Sequence, residues 1–155
     1  MAPTENNASN TPGNFPRRVL VIDDDPVLRT VIRQFFESQG SVKVDEAGNG
    51  WDAQGLIASA SVPYDLTTLD LSMPEVDGFE FLNHLKQHSI EMRILIISSL
   101  PATVIRMAET LADFETLNAI GHLKKPLSAS ALNAILKAQN WQVHDDANHL
   151  QLVRA

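Results

Sequence analysis

The chain contains no cysteine among its 155 residues, which excludes disulfides and thiol catalysis and leaves the redox compartment open. It has no run of Lys or Arg. With a formal net charge of -7, a phosphate backbone would repel it, so direct nucleic-acid binding is not expected. It also lacks any apolar stretch long enough to cross a bilayer. The opening segment, residues 1–16, is polar with three prolines and no apolar run, unlike a signal peptide or a membrane span. These absences point to a cytoplasmic protein whose acidity suits solubility, a cationic partner or a bound metal. What remains is an ordinary 44% apolar content, enough for one sizeable core, and a length that accommodates one domain with two short tails.

The texture changes after Pro16. Val19 to Ile22 is a short, fully apolar, mostly β-branched run, as a strand buried on both faces requires. It ends in Asp23-Asp24-Asp25-Pro26, where a proline at the first helical position and a preceding Asp as N-cap predict a helix start. Val27, Leu28, Val31, Ile32, Phe35 and Phe36 then mark one helical face, and Gly40 ends it. The alternation continues with strands over Val42 to Ala47, Leu66 to Asp70, Ile94 to Ile97 and Asn118 to Leu123. Helices are predicted from Trp51 to Ala60, around Phe79 to Leu85, from Ala102 to Phe114 and from Ser128 to Ala138. Such alternation implies right-handed crossovers and a doubly wound α/β fold. Five parallel strands in the order 2-1-3-4-5 would carry helices on both faces. Residues 1–16 read as a disordered tail, 17–138 as the domain and 139–155 as a C-terminal tail or linker. Trp141, Val143, Leu150 and Leu152 could dock part of that last segment.

In this strand order the functional crevice lies at the carboxyl ends of the strands. Strand one ends in Asp23-Asp24, strand three in Asp70, strand four in Ser98-Ser99 and strand five in Lys124-Lys125-Pro126. Strands one, three, four and five are consecutive neighbours, so these residues should meet. At about 4 Å and an effective dielectric of about 20, one like-charged carboxylate pair costs roughly 4 kcal/mol. An oxygen-rich cluster of this kind suits Mg²⁺, and a nearby Lys offsets the remaining charge and can hold a phosphate oxygen. A carboxylate can also attack phosphorus and form an acyl phosphate.

The strings Val19 to Pro26, Leu69 to Gly78, Ile94 to Ser99 and Leu123 to Ser128, in that order, resemble the receiver domain of bacterial two-component response regulators over residues 17–138. The resemblance implies that Asp70 is the phosphoacceptor. Asp24 would ligate Mg²⁺ directly and Asp23 through water, with the Ser72 carbonyl as a further protein ligand beside Asp70. It makes Ser98 the hydroxyl that swings toward the phosphoryl group, Lys125 the phosphate-contacting lysine before an often cis Pro126, and His122 the occupant of the switching aromatic position. The implied donors are a histidine kinase or histidine phosphotransfer protein, acting with Mg²⁺. Output would pass to a downstream protein or fused domain through the surface of the fourth helix, fifth strand and fifth helix, where a dimer could also form.

Each residue also has a plainer reading. Asp25 can cap the helix alone, which leaves the Asp23-Asp24 pair for metal; Asp70 could cap its loop, and Lys125 could be a solvated strand-end charge. His122 could simply pack at the sheet edge, and His144 with His149 reads as a feature of a polar tail rather than a metal pair. Thr67 and Thr68 sit where a buried strand usually carries Val or Ile, so their hydroxyls need partners. The span from Ser98 to Lys125 is longer than usual for the family, with the fourth helix reaching toward Thr116. Such lengthening resembles that of receivers attached to cyclic-dinucleotide phosphodiesterases. Two other functions compete. A non-phosphorylated interaction module of the same fold has no need of the full acidic, hydroxyl and lysine set. A haloacid-dehalogenase-type phosphatase needs a second acid two residues past the nucleophile, where Ser72 stands.

Overall fold

Val19, Leu20, Val21 and Ile22 have essentially no accessible surface, and successive residues serve opposite sides of one sheet. Leu20 and Ile22 join a core shared with Phe81, Leu82, Leu85 and Ile105. Val19 and Val21 join a second core with Phe35, Phe36, Leu132 and Leu136. The computed structural model describes residues 15–112, 117–141 and 143.

Ten elements alternate: β1 (Arg18–Ile22), α1 (Pro26–Glu37), β2 (Lys43–Ala47), α2 (Gly50–Ser59), β3 (Leu66–Leu69), α3 (Gly78–Gln87), β4 (Met92–Ser98), α4 (Ala102–Ala112), β5 (Leu117–Lys124) and α5 (Ala129–Lys137). The strands are parallel in the order β2-β1-β3-β4-β5. Helices α2, α3 and α4 cover one face, and α1 and α5 the other. The expected doubly wound order is therefore observed. No helix among the described residues is long and apolar enough to cross a membrane.

Local chemistry sets the helix starts. The Asp25 carboxylate accepts from the N–H groups of Val27 and Leu28 at 2.9 and 3.4 Å, so Asp25 caps α1 by itself. Ser128 caps α5 in the same way through Ala131 N–H, one residue before the helix expected to include it. Val27 corrects the expected apolar face of α1. It lies in the first turn and is 53% exposed, whereas Leu28, Val31, Ile32, Phe35 and Phe36 are buried. Thr67 Oγ1 meets the Met92 sulfur at 2.9 Å, while Thr68 Oγ1 has no partner among the described residues. Phe15 packs against Phe36, and Trp141 is buried in the α1/α5 core with Arg93 over its ring. Val143 packs beside it; Leu150, Leu152, His144, His149 and residues 113–116 lie outside the described residues.

Two departures from simple strand geometry position the crevice. The first is a bulge in β5: Ile94 pairs with Ala119 but Leu95 with Gly121, so Ile120 is the extra residue. Gly121 has φ of 149°, a backbone region that glycine tolerates best, and a Cβ there would strike Ile135 of α5. The second is the loop between β3 and α3, which is clamped by two glycines. Gly78 N–H donates to the Leu71 carbonyl and Gly50 N–H to the Val76 carbonyl. A Cβ on Gly78 would lie 2.6 Å from Leu71 Cα and 2.7 Å from the Asp70 carbonyl oxygen. Backbone atoms cannot yield as a flexible side chain can. Gly78→Ala is therefore expected to destabilise the fold by about 1–3 kcal/mol, measured by urea denaturation.

Candidate functional site

The acidic and basic groups of the crevice sit one residue past their strands. The sheet ladder carries on just far enough to hold them. Asp23 N–H donates to the Ala47 carbonyl at 3.1 Å, Asp70 N–H to the Ile22 carbonyl at 3.0 Å, and Lys125 N–H to the Ser98 carbonyl at 3.1 Å. Backbone hydrogen bonds thus fix the starting points of three charged side chains at the ends of β1, β3 and β5.

The side chains then converge. Carboxylate oxygens of Asp23, Asp24 and Asp70 all lie within 4.8 Å of one another, with Asp23 and Asp70 buried and Asp24 exposed. The Lys125 ammonium reaches between two of them, 2.9 Å from Asp23 Oδ2 and 3.2 Å from Asp70 Oδ2. The remaining oxygens are also engaged: Asp25 N–H donates to Asp23 Oδ1 at 2.9 Å and Ser72 N–H to Asp70 Oδ1 at 3.1 Å. Three hard oxygen donors at this spacing fit a small divalent cation such as Mg²⁺.

Burial dominates the electrostatics. It pushes Asp70 up to about 6, reinforced by the charge of Asp23 and opposed by Ser72 N–H and by Lys125. Burial raises Asp23 as well, against the Lys125 and Asp25 contacts. Lys125 is raised despite its burial, because both carboxylates stabilise its charged form.

The other sequence-predicted residues are placed differently. Ser98 is fully buried, and its Oγ accepts from Leu100 N–H at 3.1 Å. The Lys125–Pro126 peptide is cis. His122 is not part of the carboxylate cluster. It is exposed on β5, and its Nδ1 lies 3.1 Å from Glu109 Oε1 on α4. Sequence reasoning overlooked Arg29, whose Nη1 donates to the Asp23 carbonyl at 2.7 Å while its Nε donates to Glu46 Oε1 at 3.1 Å. The available signal was a basic residue in the first turns of the helix that follows the acidic pair.

A doubly wound sheet with clustered carboxylates and a bridging lysine at its carboxyl edge defines a class of acidic, phosphoryl-handling switch domains. The sequence matches the family described as "Response regulator receiver domain" over residues 19–137, and the chain belongs to that family. Its Asp23, Asp24 and Asp70 cluster fits the phosphoacceptor site of these two-component signalling domains, which bind Mg²⁺ at such a cluster. The rice two-component response regulator ORR41 (Oryza sativa subsp. japonica) is 35% identical over 122 residues, covering 77% of this chain and 91% of that protein. The Escherichia coli nitrate/nitrite response regulator protein NarL is 39% identical over 84 residues, covering 54% of this chain but only 38% of NarL. The chain thus spans well under half the length of such longer curated relatives. Among solved structures, the response regulator domain of Thermotoga maritima CheB superposes with a TM-score of 0.62 at 28% identity, covering 79% of this chain and 96% of that one.

The raised carboxylates make a pH-dependent stability. Asp70 titrates near 6 when folded and near the ordinary 3.8 when unfolded, so between these values the folded state keeps a proton that the unfolded state has lost. The stabilisation from that proton is complete below pH 3.8 and disappears as pH rises through 6. Asp70→Asn removes the penalty. In EDTA it should raise stability by about 1–3 kcal/mol at pH 7 and by little at pH 4, as urea denaturation at the two pH values will show.

Proposed function

We propose that this chain is a phosphoacceptor switch in which Asp70 receives a phosphoryl group from a phosphohistidine on a kinase or phosphotransfer protein. The observation that carries this reading is the Lys125 ammonium held between Asp23 and Asp70 at the carboxyl edge of the sheet. In the reaction, a carboxylate oxygen of Asp70 bonds to phosphorus as the phosphorus–nitrogen bond of the donor breaks and the imidazole leaves. Asp23, Asp24, Asp70 and the Ser72 carbonyl are the groups that would hold Mg²⁺, which when bound supplies positive charge to the transferring phosphoryl oxygens. Lys125 supplies a second positive charge from the end of β5. The Ser98 hydroxyl, now tied to Leu100 N–H, contacts a phosphoryl oxygen once it turns inward.

The added negative charge biases a two-state equilibrium. Its readout is the α4–β5–α5 surface, where His122 and Glu109 pair across β5 and α4. The partner is a downstream protein or an output domain joined through residues 139–155, with residues 17–138 as the folded switch, and that same face is where two copies would dimerise. The chain modifies itself rather than turning over a substrate, so it is not an enzyme in that sense.

Intact mass after incubation with acetyl phosphate and Mg²⁺ tests the switch. One added phosphoryl group is expected on wild type, and none without Mg²⁺ or in Asp70→Asn. If neither acetyl phosphate nor beryllofluoride modifies the protein, a phosphorylation-independent interaction module becomes the better reading. Leu100, two residues past Ser98, packs its side chain on the apolar core and has no polar group to orient an attacking water. The acyl phosphate should accordingly be long-lived, and Leu100→Glu should shorten its half-life; an unchanged decay rate would refute this role for Leu100.

A further inference from the structure

We propose that Arg29 is a positioning residue for the acidic cluster, fixing the direction in which the Asp23–Asp24 segment presents its carboxylates to a divalent cation. The inference rests on the reading that these carboxylates hold Mg²⁺.

Every polar group of Asp23 has a partner. Its N–H is held by the Ala47 carbonyl and its carboxylate by Asp25 N–H and Lys125. Its carbonyl accepts from Arg29 Nη1 at 2.7 Å. That carbonyl belongs to the peptide unit linking Asp23 to Asp24, so the Arg29 contact sets the plane from which Asp24 departs. The other contacts of Asp23 cannot do this. Two of them act on the side chain, and the Ala47 bond lies on the far side of the α-carbon.

Arg29 is itself held in place. Its Nε donates to Glu46 Oε1 at 3.1 Å, and the other oxygen of Glu46 accepts from Arg33 Nε at 2.6 Å. Arg33 also pairs with Glu37 at 3.2 Å. The guanidinium therefore spans from α1 to the end of β2 in a fixed fork, a geometry that a lysine cannot copy. Glu46 also offsets the charge of Arg29, so the site gains a rigid donor with little added repulsion toward an incoming cation.

This arrangement separates geometry from charge. If Arg29 acted only as a nearby positive charge, its removal would tighten Mg²⁺ binding. As a positioning residue, its removal loosens binding. The test is an NMR titration of the protein with magnesium chloride, following the amide resonances of residues 23–25 and 70–72, with denaturation in EDTA recorded in parallel. Arg29→Met should raise the Mg²⁺ dissociation constant about tenfold. Arg33→Met breaks the same Glu46 network without touching Asp23, and should leave the constant within about twofold of wild type whatever its effect on stability. Unchanged or tighter binding in Arg29→Met, or equal weakening in both variants, overturns the proposal. Should Arg29→Met fail to fold, Arg29→Lys replaces it. Its single ammonium, drawn to Glu46, leaves the carbonyl free, so a several-fold loss supports positioning and wild-type affinity overturns it. Absence of Mg²⁺ binding in wild type would instead remove the metal reading itself, and this inference with it.

Discussion

Two buried carboxylates held within 5 Å of each other are an electrostatic cost built into this fold, and a single ammonium group makes them tolerable. Lys125 arrives from a strand two places removed from Asp70's own, and it can bridge Asp23 and Asp70 only if β1, β3, β4 and β5 keep their order and register. The fold is thus tied to its own charge problem. Hydrophobic burial on both faces of the sheet makes the strands adjacent, and the adjacency forces like charges together. The residue after β5 supplies the counter-charge. Lys125 lowers both carboxylates, but burial outweighs it and holds both above their ordinary values. A site left short of positive charge is one prepared for a cation.

Much of this was legible in the chain. The strands are read from short β-branched runs, and their parallel arrangement follows from the helices between them. Asp23, Asp70 and Lys125 could be placed together because each stands at or within two residues of the end of its apolar run, close enough that small errors in the strand ends do not move them out of the crevice. The Asp25 cap was also legible, since a carboxylate before Pro26 has an obvious partner in the first turn.

What escaped was contact that crosses elements without a periodic signature. The Arg29–Glu46–Arg33 network joins a helix to a strand through long side chains whose reach the sequence does not state. Val27 matched the apolar period of α1 but falls in the first turn, where it remains exposed. β5 runs one residue further at each end than expected, from Leu117 to Lys124, and its bulge at Ile120 has no periodic signature either. By contrast, the docking expected of Trp141 and Val143 is observed, with Trp141 buried in the α1/α5 core and Val143 packed beside it. His122 was identified by position, yet its contact with Glu109 depends on which face of β5 it occupies.

That face is decided by parity. Along a regular strand, residues an even number apart share a side, so Ile120 and His122 would face the same helix layer. Because Ile120 is an unpaired extra residue, Ile120 and Leu123 both serve the α1/α5 core, and His122 turns to α4 instead. The count from Gly121 to Lys125 is therefore as constrained as any side chain in the crevice: adding or removing one residue there would exchange the two faces and carry the lysine off target.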